Sequence, residues 1–173
     1  MIKGERINII GLKKDALSIT YDWINEPELR HGLGTKYPIS QYEHEVWFEK
    51  ASLDKINMSY IIQDKSSRKY IGIIGNRETD MSSRNCTIYL YIGDTEFHGK
   101  GIGLEAVNLY SKFLFEQINI RKIQAWIYSY NKNSLKLFEK AGYKLEAVFD
   151  KHWFKDGYYH DVNIYYKMCE KNE

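Results

Sequence analysis

Six residues, His98-Gly99-Lys100-Gly101-Ile102-Gly103, constrain this chain more than any others, because they lie between a β-rich stretch and the strongest amphipathic helix in the sequence. Three glycines in that space let the backbone turn tightly and bring several N–H groups close to a ligand. The start of the following helix adds unpaired donors and a favourable dipole, so the construction suits a phosphate or pyrophosphate. Other readings of the glycines stand beside this one. A Walker A loop needs G-x-x-x-x-G-K followed by Ser or Thr, and that pattern is missing. Gly101-Ile102-Gly103-Leu104-Glu105-Ala106 does satisfy the dinucleotide pattern G-x-G-x-x-A. A dinucleotide unit, however, wants an acidic residue at the tip of the next strand. Here that strand runs into Ile127-Tyr128-Ser129-Tyr130-Asn131, without a carboxylate. A plain glycine turn with close helix–strand packing also accounts for the loop taken alone.

The surrounding pattern defines the setting of the loop. Arg6 to Leu12 reads as a strand, and Lys14 to Ile24 has helical spacing through Ala16, Leu17, Thr20 and Trp23, with Pro27 soon after. Glu28 to Ile39 reads as loop. Ser40 with Glu43 three residues on forms a capping box that opens a helix to about Asp54. Met58 to Asp64, Tyr70 to Thr79 and Cys86 to Ile92 form an antiparallel meander. Gly101 to Glu116 is helical, Ile123 to Tyr128 a strand and Ser134 to Lys140 a short helix ended by Gly142. Lys144 to Phe154 and Tyr158 to Met168 make a hairpin around Lys155-Asp156-Gly157. The order βααβββαβαββ predicts an α/β (α+β) fold, with a mixed, mostly antiparallel sheet of about seven strands and about four helices packed on it.

With 173 residues, two prolines and no linker or repeat, the chain reads as one domain over 1–173. Its net charge of +2 gives no field that would argue for nucleic acid, and no apolar run approaches the roughly 20 residues that span a bilayer. The first residues lack a signal peptide's apolar stretch. Cys86 and Cys169 have no metal-ligand spacing and read as reduced thiols, and a cytoplasmic protein fits these features. His31, His44, His152 and His160 are scattered and form no metal set, so no metal is expected. Fifteen tyrosines and four tryptophans exceed what packing needs; a cleft or a homodimer surface would use them.

A second segment narrows the reading. Asn131, Ser134, Leu137, Phe138, Gly142 and Tyr143 follow a strand in the pattern N-x-x-S-x-x-L-F-x-x-x-G-Y. Joined to His98-x-x-Gly101-x-Gly103, it resembles the GNAT superfamily of acyl-CoA N-acyltransferases, over nearly the whole chain. Trp23-Ile24-Asn25-Glu26-Pro27-Glu28 and Asp156-Gly157-Tyr158-Tyr159-His160-Asp161-Val162 resemble its RimJ/RimL-like branch.

The resemblance implies acetyl-CoA as cosubstrate, its pyrophosphate on His98, Gly99, Lys100, Gly101, Ile102 and Gly103. It also implies a V-shaped slot where the strand before the loop leaves its neighbour. The pantetheine arm would bond there to backbone around Tyr91, Ile92 and Gly93, and to Asn131 and Ser134. A backbone N–H in the slot would polarise the thioester carbonyl. His98 stands where the family has Gln or Arg. Phe138 stands where many relatives have the tyrosine proposed to protonate the departing thiolate, and Thr87 where a glutamate is frequent. Glu78 and Asp80 are then the carboxylate candidates for a general base, with solvated turn charges as the plain alternative. In place of the missing acid stand a water, another tyrosine, or departure of coenzyme A as the thiolate. Tyr89 is the catalytic candidate on this strand, and it shares with Tyr91 a face that either lines the slot or packs in the core. Lys65 to Lys69 is a basic turn with a cation available for the 3′-phosphate. The implied reaction is direct acetyl transfer to a primary amine. A protein N-terminus leads as acceptor, with a polyamine, an amino sugar or a nucleotide-linked amino sugar as alternatives. A non-catalytic CoA-binding module is the reading from another class.

Overall fold

A computed structural model describes residues 1–170, in which one eight-stranded sheet carries five α-helices. The strands are β1 (Ile2–Lys3), β2 (Ile7–Gly11), β3 (Ser59–Asp64), β4 (Tyr70–Asp80), β5 (Asn85–Ile92), β6 (Lys122–Tyr128), β7 (Lys144–Lys155) and β8 (Tyr158–Met168). Their order across the sheet is β1-β2-β3-β4-β5-β6-β8-β7. Every neighbouring pair is antiparallel except β5 and β6. That pair is joined by the crossover helix α4 (Ile102–Glu116), and a helical crossover is what a parallel pair needs. The fold class is the one the sequence predicts, with one more strand and one more helix. The added strand, β1, is two residues long and too short to leave a periodic signal.

The added helix corrects the loop expected over Glu28 to Ile39. After α1 (Leu17–Asn25), Pro27 does not merely follow a helix end: it occupies the first turn of α2 (Pro27–Leu33). Proline suits that position because its missing N–H would be unpaired there anyway. Gly34, at φ 76°, closes the helix in the left-handed conformation that a C-terminal glycine allows. Helix α3 (Gln41–Leu53) begins as expected, with the Ser40 hydroxyl accepting from the Glu43 N–H at 3.1 Å. In the β7–β8 hairpin Asp156 and Gly157 both have positive φ, the two-residue turn that matches strand twist.

The sheet separates two apolar layers. On one face α4 and α5 (Lys132–Lys140) pack through Ile102, Val107, Tyr110 and Phe138 onto Ile9, Ile62, Ile74, Ile88 and Ile123. On the other, Ala16, Trp23 and Phe48 cover Ile10, Ile61, Ile73 and Tyr91. Tyr110 is fully buried and donates its hydroxyl to Asn76 Oδ1 at 2.6 Å, which satisfies both polar groups. His44 is buried against Thr20, its Nε2 2.9 Å from the threonine hydroxyl.

Burial lowers the His44 pKa below its ordinary 6.5, outweighing a backbone hydrogen bond and the Glu45 charge. The unfolded chain therefore binds the proton more readily than the folded one. Stability linked to His44 is complete above about pH 6.5 and is lost as pH falls through the lower folded value. Urea unfolding followed from pH 8 to 5 is expected to show a midpoint that declines below about 6.5. His44→Gln, which can still bond Thr20, flattens that decline.

Candidate active site

Strand β5 pairs with β6 at three positions only, Asn85↔Lys122, Cys86↔Ile123 and Thr87↔Gln124. Its pairing with β4 continues to Ile92, so β5 and β6 diverge from Thr87 onward. In an antiparallel ladder the backbone groups of alternate residues point to opposite neighbours. Gly93 N donates to Ile71 O at 2.9 Å, which fixes the alternation: Thr87, Tyr89, Tyr91 and Gly93 turn their backbone toward β4. Ile88, Leu90 and Ile92 turn theirs toward β6, into the gap. Of the backbone expected around Tyr91, Ile92 and Gly93, only Ile92 faces the slot, and Leu90 and Ile88 join it. Residue spacing cannot reveal this parity; a single ladder bond does.

The glycine loop lies at the open end of the gap. Gly99 and Gly101 have φ of 71° and 76°, a backbone conformation that favours glycine. Gly101 is the N-cap of α4, and no side chain caps that helix start, so the N–H groups of Ile102, Gly103 and Leu104 remain for a ligand. Gly103 lies in the first turn, where a Cβ would meet only Leu137 and Leu90 at ordinary contact distance. Its lack of a side chain keeps the helix end open rather than permitting a turn. The His98 ring Nε2 is 2.9 Å from Ile92 O. A carbonyl only accepts, so Nε2 carries the proton, and His98 ties the loop to the end of β5.

Two residues that the motif reading passed over hold the loop in place. Arg6 donates through Nη1 to Lys100 O at 2.8 Å and through Nη2 to Gly101 O at 3.3 Å. Its Nε pairs with Glu105 Oε2 at 2.9 Å, and Glu105 Oε1 accepts from the backbone N–H of Arg6 and Ile7. Burial alone would raise the Glu105 pKa, but these bonds and the guanidinium together bring it below its ordinary value. The only sequence signal for this clamp was an arginine opening the first strand. A cavity of about 490 Å³ adjoins the loop, bordered by Arg6, Lys65, Phe97 and Lys100 and by the carboxylates of Glu5 and Asp64. Asp64 is occupied by Ser66 and Ser67, so the three cations leave a net positive border that suits an anionic group. Lys65 lies in the basic turn expected to supply one.

Asn131 caps α5: its Oδ1 accepts from Ser134 N at 3.1 Å. Its Nδ2 donates to Gly32 O at 3.1 Å, which joins α5 to the end of α2. Ser134 is half-buried one helical turn on. Asn131 and Gly32, but not Ser134, line a cavity of about 270 Å³ that Glu28 and Tyr130 also border.

Thr87 and Glu78 meet at the vertex where β5 leaves β6. Glu78 stands in a bulge of β4 at φ 52°, and its Oε2 accepts from the Thr87 hydroxyl at 3.0 Å. Asp80 is instead consumed by its own turn, accepting from the Ser82 and Ser83 N–H groups and the Ser83 hydroxyl. Those bonds, the Ser83 hydroxyl foremost, lower its pKa. The Tyr89 hydroxyl reaches Ser59 on β3 at 2.6 Å, across Gly75 and away from the gap. Burial raises its pKa and that of Tyr91, whose ring packs edge-on to Trp23. Phe138 is buried against Tyr143 in the core.

A family model described as an acetyltransferase (GNAT) domain matches residues 6–144. The chain belongs to the GNAT acetyltransferases. It is an acyltransferase with acetyl-CoA as cosubstrate. It is 27% identical over 160 residues to the SPbeta prophage-derived N-acetyltransferase YokL of Bacillus subtilis (strain 168), covering 91% of this chain and 87% of that one. It is 25% identical to the acetyltransferase PseH of Campylobacter jejuni (strain 81-176), covering 77% and 80%. Its fold matches a spermidine N-acetyltransferase from Vibrio cholerae in complex with CoA and spermine, with a TM-score of 0.89 at 21% identity, over 96% and 97% of the chains.

Because Arg6 is half-exposed and bonds the loop from outside, its removal should loosen the loop without opening the core. Isothermal titration of Arg6→Ala with coenzyme A is expected to give about a 10- to 150-fold weaker dissociation constant, as hydrogen bonds to a charged group contribute about 1.5–3 kcal/mol. An unchanged constant would mean that the loop holds its shape without the clamp.

Proposed function

We propose that the chain is a single catalytic domain that moves an acetyl group from acetyl-CoA directly to the primary amine of a small molecule. The observation that carries this reading is the gap beyond Thr87. It exposes the Ile88 carbonyl and the backbone of Leu90 and Ile92 beside a glycine loop built for a pyrophosphate. In this reading Ile102, Gly103 and Leu104 supply N–H donors to the pyrophosphate, with His98, Gly99, Lys100 and Gly101 shaping the loop. The pantetheine arm extends along β5 and bonds to the free backbone there, and Asn131 and Ser134 border it from the start of α5. A gap-facing N–H of β5 stabilises the charge that develops on the thioester oxygen.

The acceptor approaches from the face opposite α4 and α5, since those helices fill the other side. Its amine must be neutral to attack, and deprotonating an ordinary alkyl ammonium at pH 7 costs about 4–5 kcal/mol. Glu78 is the carboxylate for that proton. The family position at Thr87 lacks a carboxylate, and the bulge of β4 delivers one to the Thr87 hydroxyl from the neighbouring strand. Tyr89 has its hydroxyl engaged by Ser59, and Phe138 has none, so the departing sulfur leaves as thiolate, tolerable for a thiol of pKa about 8.5.

The chain's likeness to a spermidine N-acetyltransferase and to PseH supports a small amine, whether a polyamine or an amino sugar. The RimJ/RimL-like character of Trp23–Glu28 and Asp156–Val162 supports a protein N-terminus as second acceptor. Dependence on acetyl-CoA supports a cytoplasmic location. A homodimer belongs to the same proposal. Strand β7 is a sheet edge with Leu145, Val148, Phe149 and Phe154 exposed, and a V. cholerae spermidine N-acetyltransferase is described as dodecameric.

The test is free-thiol release from acetyl-CoA across diamines, amino sugars, nucleotide-linked amino sugars and N-terminal peptides. Turnover of a small amine supports the reading, and turnover of peptides alone overturns it. Glu78→Gln keeps a partner for Thr87 and removes the base. Its kcat/KM at pH 7 is expected to fall about 10²–10³-fold. The deficit should shrink as pH approaches the amine's own pKa near 10, where the amine deprotonates without help.

A further inference from the structure

On the face opposite α4 and α5, the end of β6 carries a platform of aromatic rings. Tyr128 and Tyr130 stack with centroids 5.5 Å apart and planes within 9°. Trp153 of β7 lies 5.0 Å from Tyr128. His160 meets the Tyr130 edge at 4.7 Å, and His31 of α2 lies 4.6 Å from the same ring. The chain already puts a cation on this platform: Lys36 Nζ stands 4.4 Å over the Trp153 ring.

Lys36 belongs to the exposed segment between α2 and α3 and has no carboxylate within 4.0 Å among the described residues. Asp156, the carboxylate of the adjoining hairpin turn, is paired with His31 Nδ1 at 3.2 Å. The ammonium is therefore held by a ring face, an attraction between positive charge and the π quadrupole. The segment bearing it is fixed just before Lys36. Gly34 lies so close to Tyr128 that a Cβ there would overlap its ring, and the buried Lys155 ammonium donates to Arg30 O at 3.1 Å and Thr35 O at 3.4 Å. Beyond Thr35 the Lys36 side chain reaches the rings from solvent, so it can leave while the platform stays.

We infer that the Tyr128–Tyr130–Trp153 platform is a subsite for a second cationic group of the acceptor, and that Lys36 fills it when no acceptor is bound. The ligand class is a linear diamine or longer polyamine. One amine loses its proton and reacts; the other stays charged and replaces the Lys36 ammonium on Trp153. Tyr130 also lines the cavity beside Asn131, so the platform is continuous with the proposed acceptor side. The inference rests on the small-amine reading above and narrows it to cationic acceptors.

Tetramethylammonium, which binds rings and cannot be acetylated, separates the platform from the reaction. Titrated by tryptophan fluorescence, the full chain carrying Lys36→Met is expected to bind it about three- to tenfold more tightly than the unmodified chain. Adding Trp153→Phe should reverse the gain. In the thiol-release assay, Lys36→Met should lower the ratio of KM for 1,5-diaminopentane to KM for n-pentylamine by the same three- to tenfold. Equal tetramethylammonium affinity with and without Lys36, or an unchanged KM ratio, overturns the subsite. If neither amine is acetylated while the tetramethylammonium difference holds, the platform stands and the small-amine acceptor fails. The two readings therefore fail separately.

Discussion

The separation of β5 from β6 after Thr87 is the constraint on which the rest of the site depends. Backbone N–H and C=O groups inside a protein need partners, and a sheet normally supplies them strand by strand. Here the sheet withholds them from the Ile88 carbonyl and from Leu90 and Ile92 on one side while β4 holds the other side to the end. Part of the deficit is met internally, because His98 donates to Ile92 O. The remainder faces the gap, where an extended amide-bearing arm is the complementary partner in the proposed complex. The fold thus stores its binding capacity as unmade β-sheet hydrogen bonds.

Holding such a gap open requires rigidity on both flanks. On the β5 side, α4 packs along one face of the sheet, and the Arg6–Glu105 clamp fastens its first turn to the start of β2. On the β6 side, β8 pairs with β6 along its full length, from Lys122↔Met168 to Tyr128↔Val162. At the mouth, residues about 100 or more positions away grip the carbonyls that end α2: Tyr130 at His31, Asn131 at Gly32 and Lys155 at Arg30 and Thr35. Asn131, which caps α5, therefore also anchors the end of α2 on the other flank of the mouth. Glu78 and Thr87 occupy the vertex, at the last of the three paired positions of β5 and β6.

Much of this was legible beforehand. The helix after the glycine loop, the Ser40 cap and the Asp156-Gly157 turn are local patterns, governed by hydrogen bonds within a few residues. The spacing from His98 to Gly103 and from Asn131 to Tyr143 carried the family. What misled was also local. Pro27 follows one helix so closely that it reads as its terminator, although it opens the next one, and only Gly34 at positive φ reveals where that helix stops. Tyr89 alternates correctly with Tyr91, but alternation gives a face and not a direction along it. Its hydroxyl turns toward Ser59, away from the gap.

By itself, then, the sequence determined the succession of strands and helices, the glycine loop ahead of α4 and the membership that these imply. Such features follow from residue periodicity and from backbone freedoms that neighbouring residues set. Only the tertiary structure decided which β5 residues face the gap, because that parity depends on the register with β4. It alone brought Arg6 to Lys100 and Glu105, and set the Glu78 carboxylate on Thr87 through a bulge. It alone laid Lys36 over Trp153. Each of these is a contact between segments distant in the chain or a pairing fixed by strand register, and neither is written in the spacing of residues along one segment.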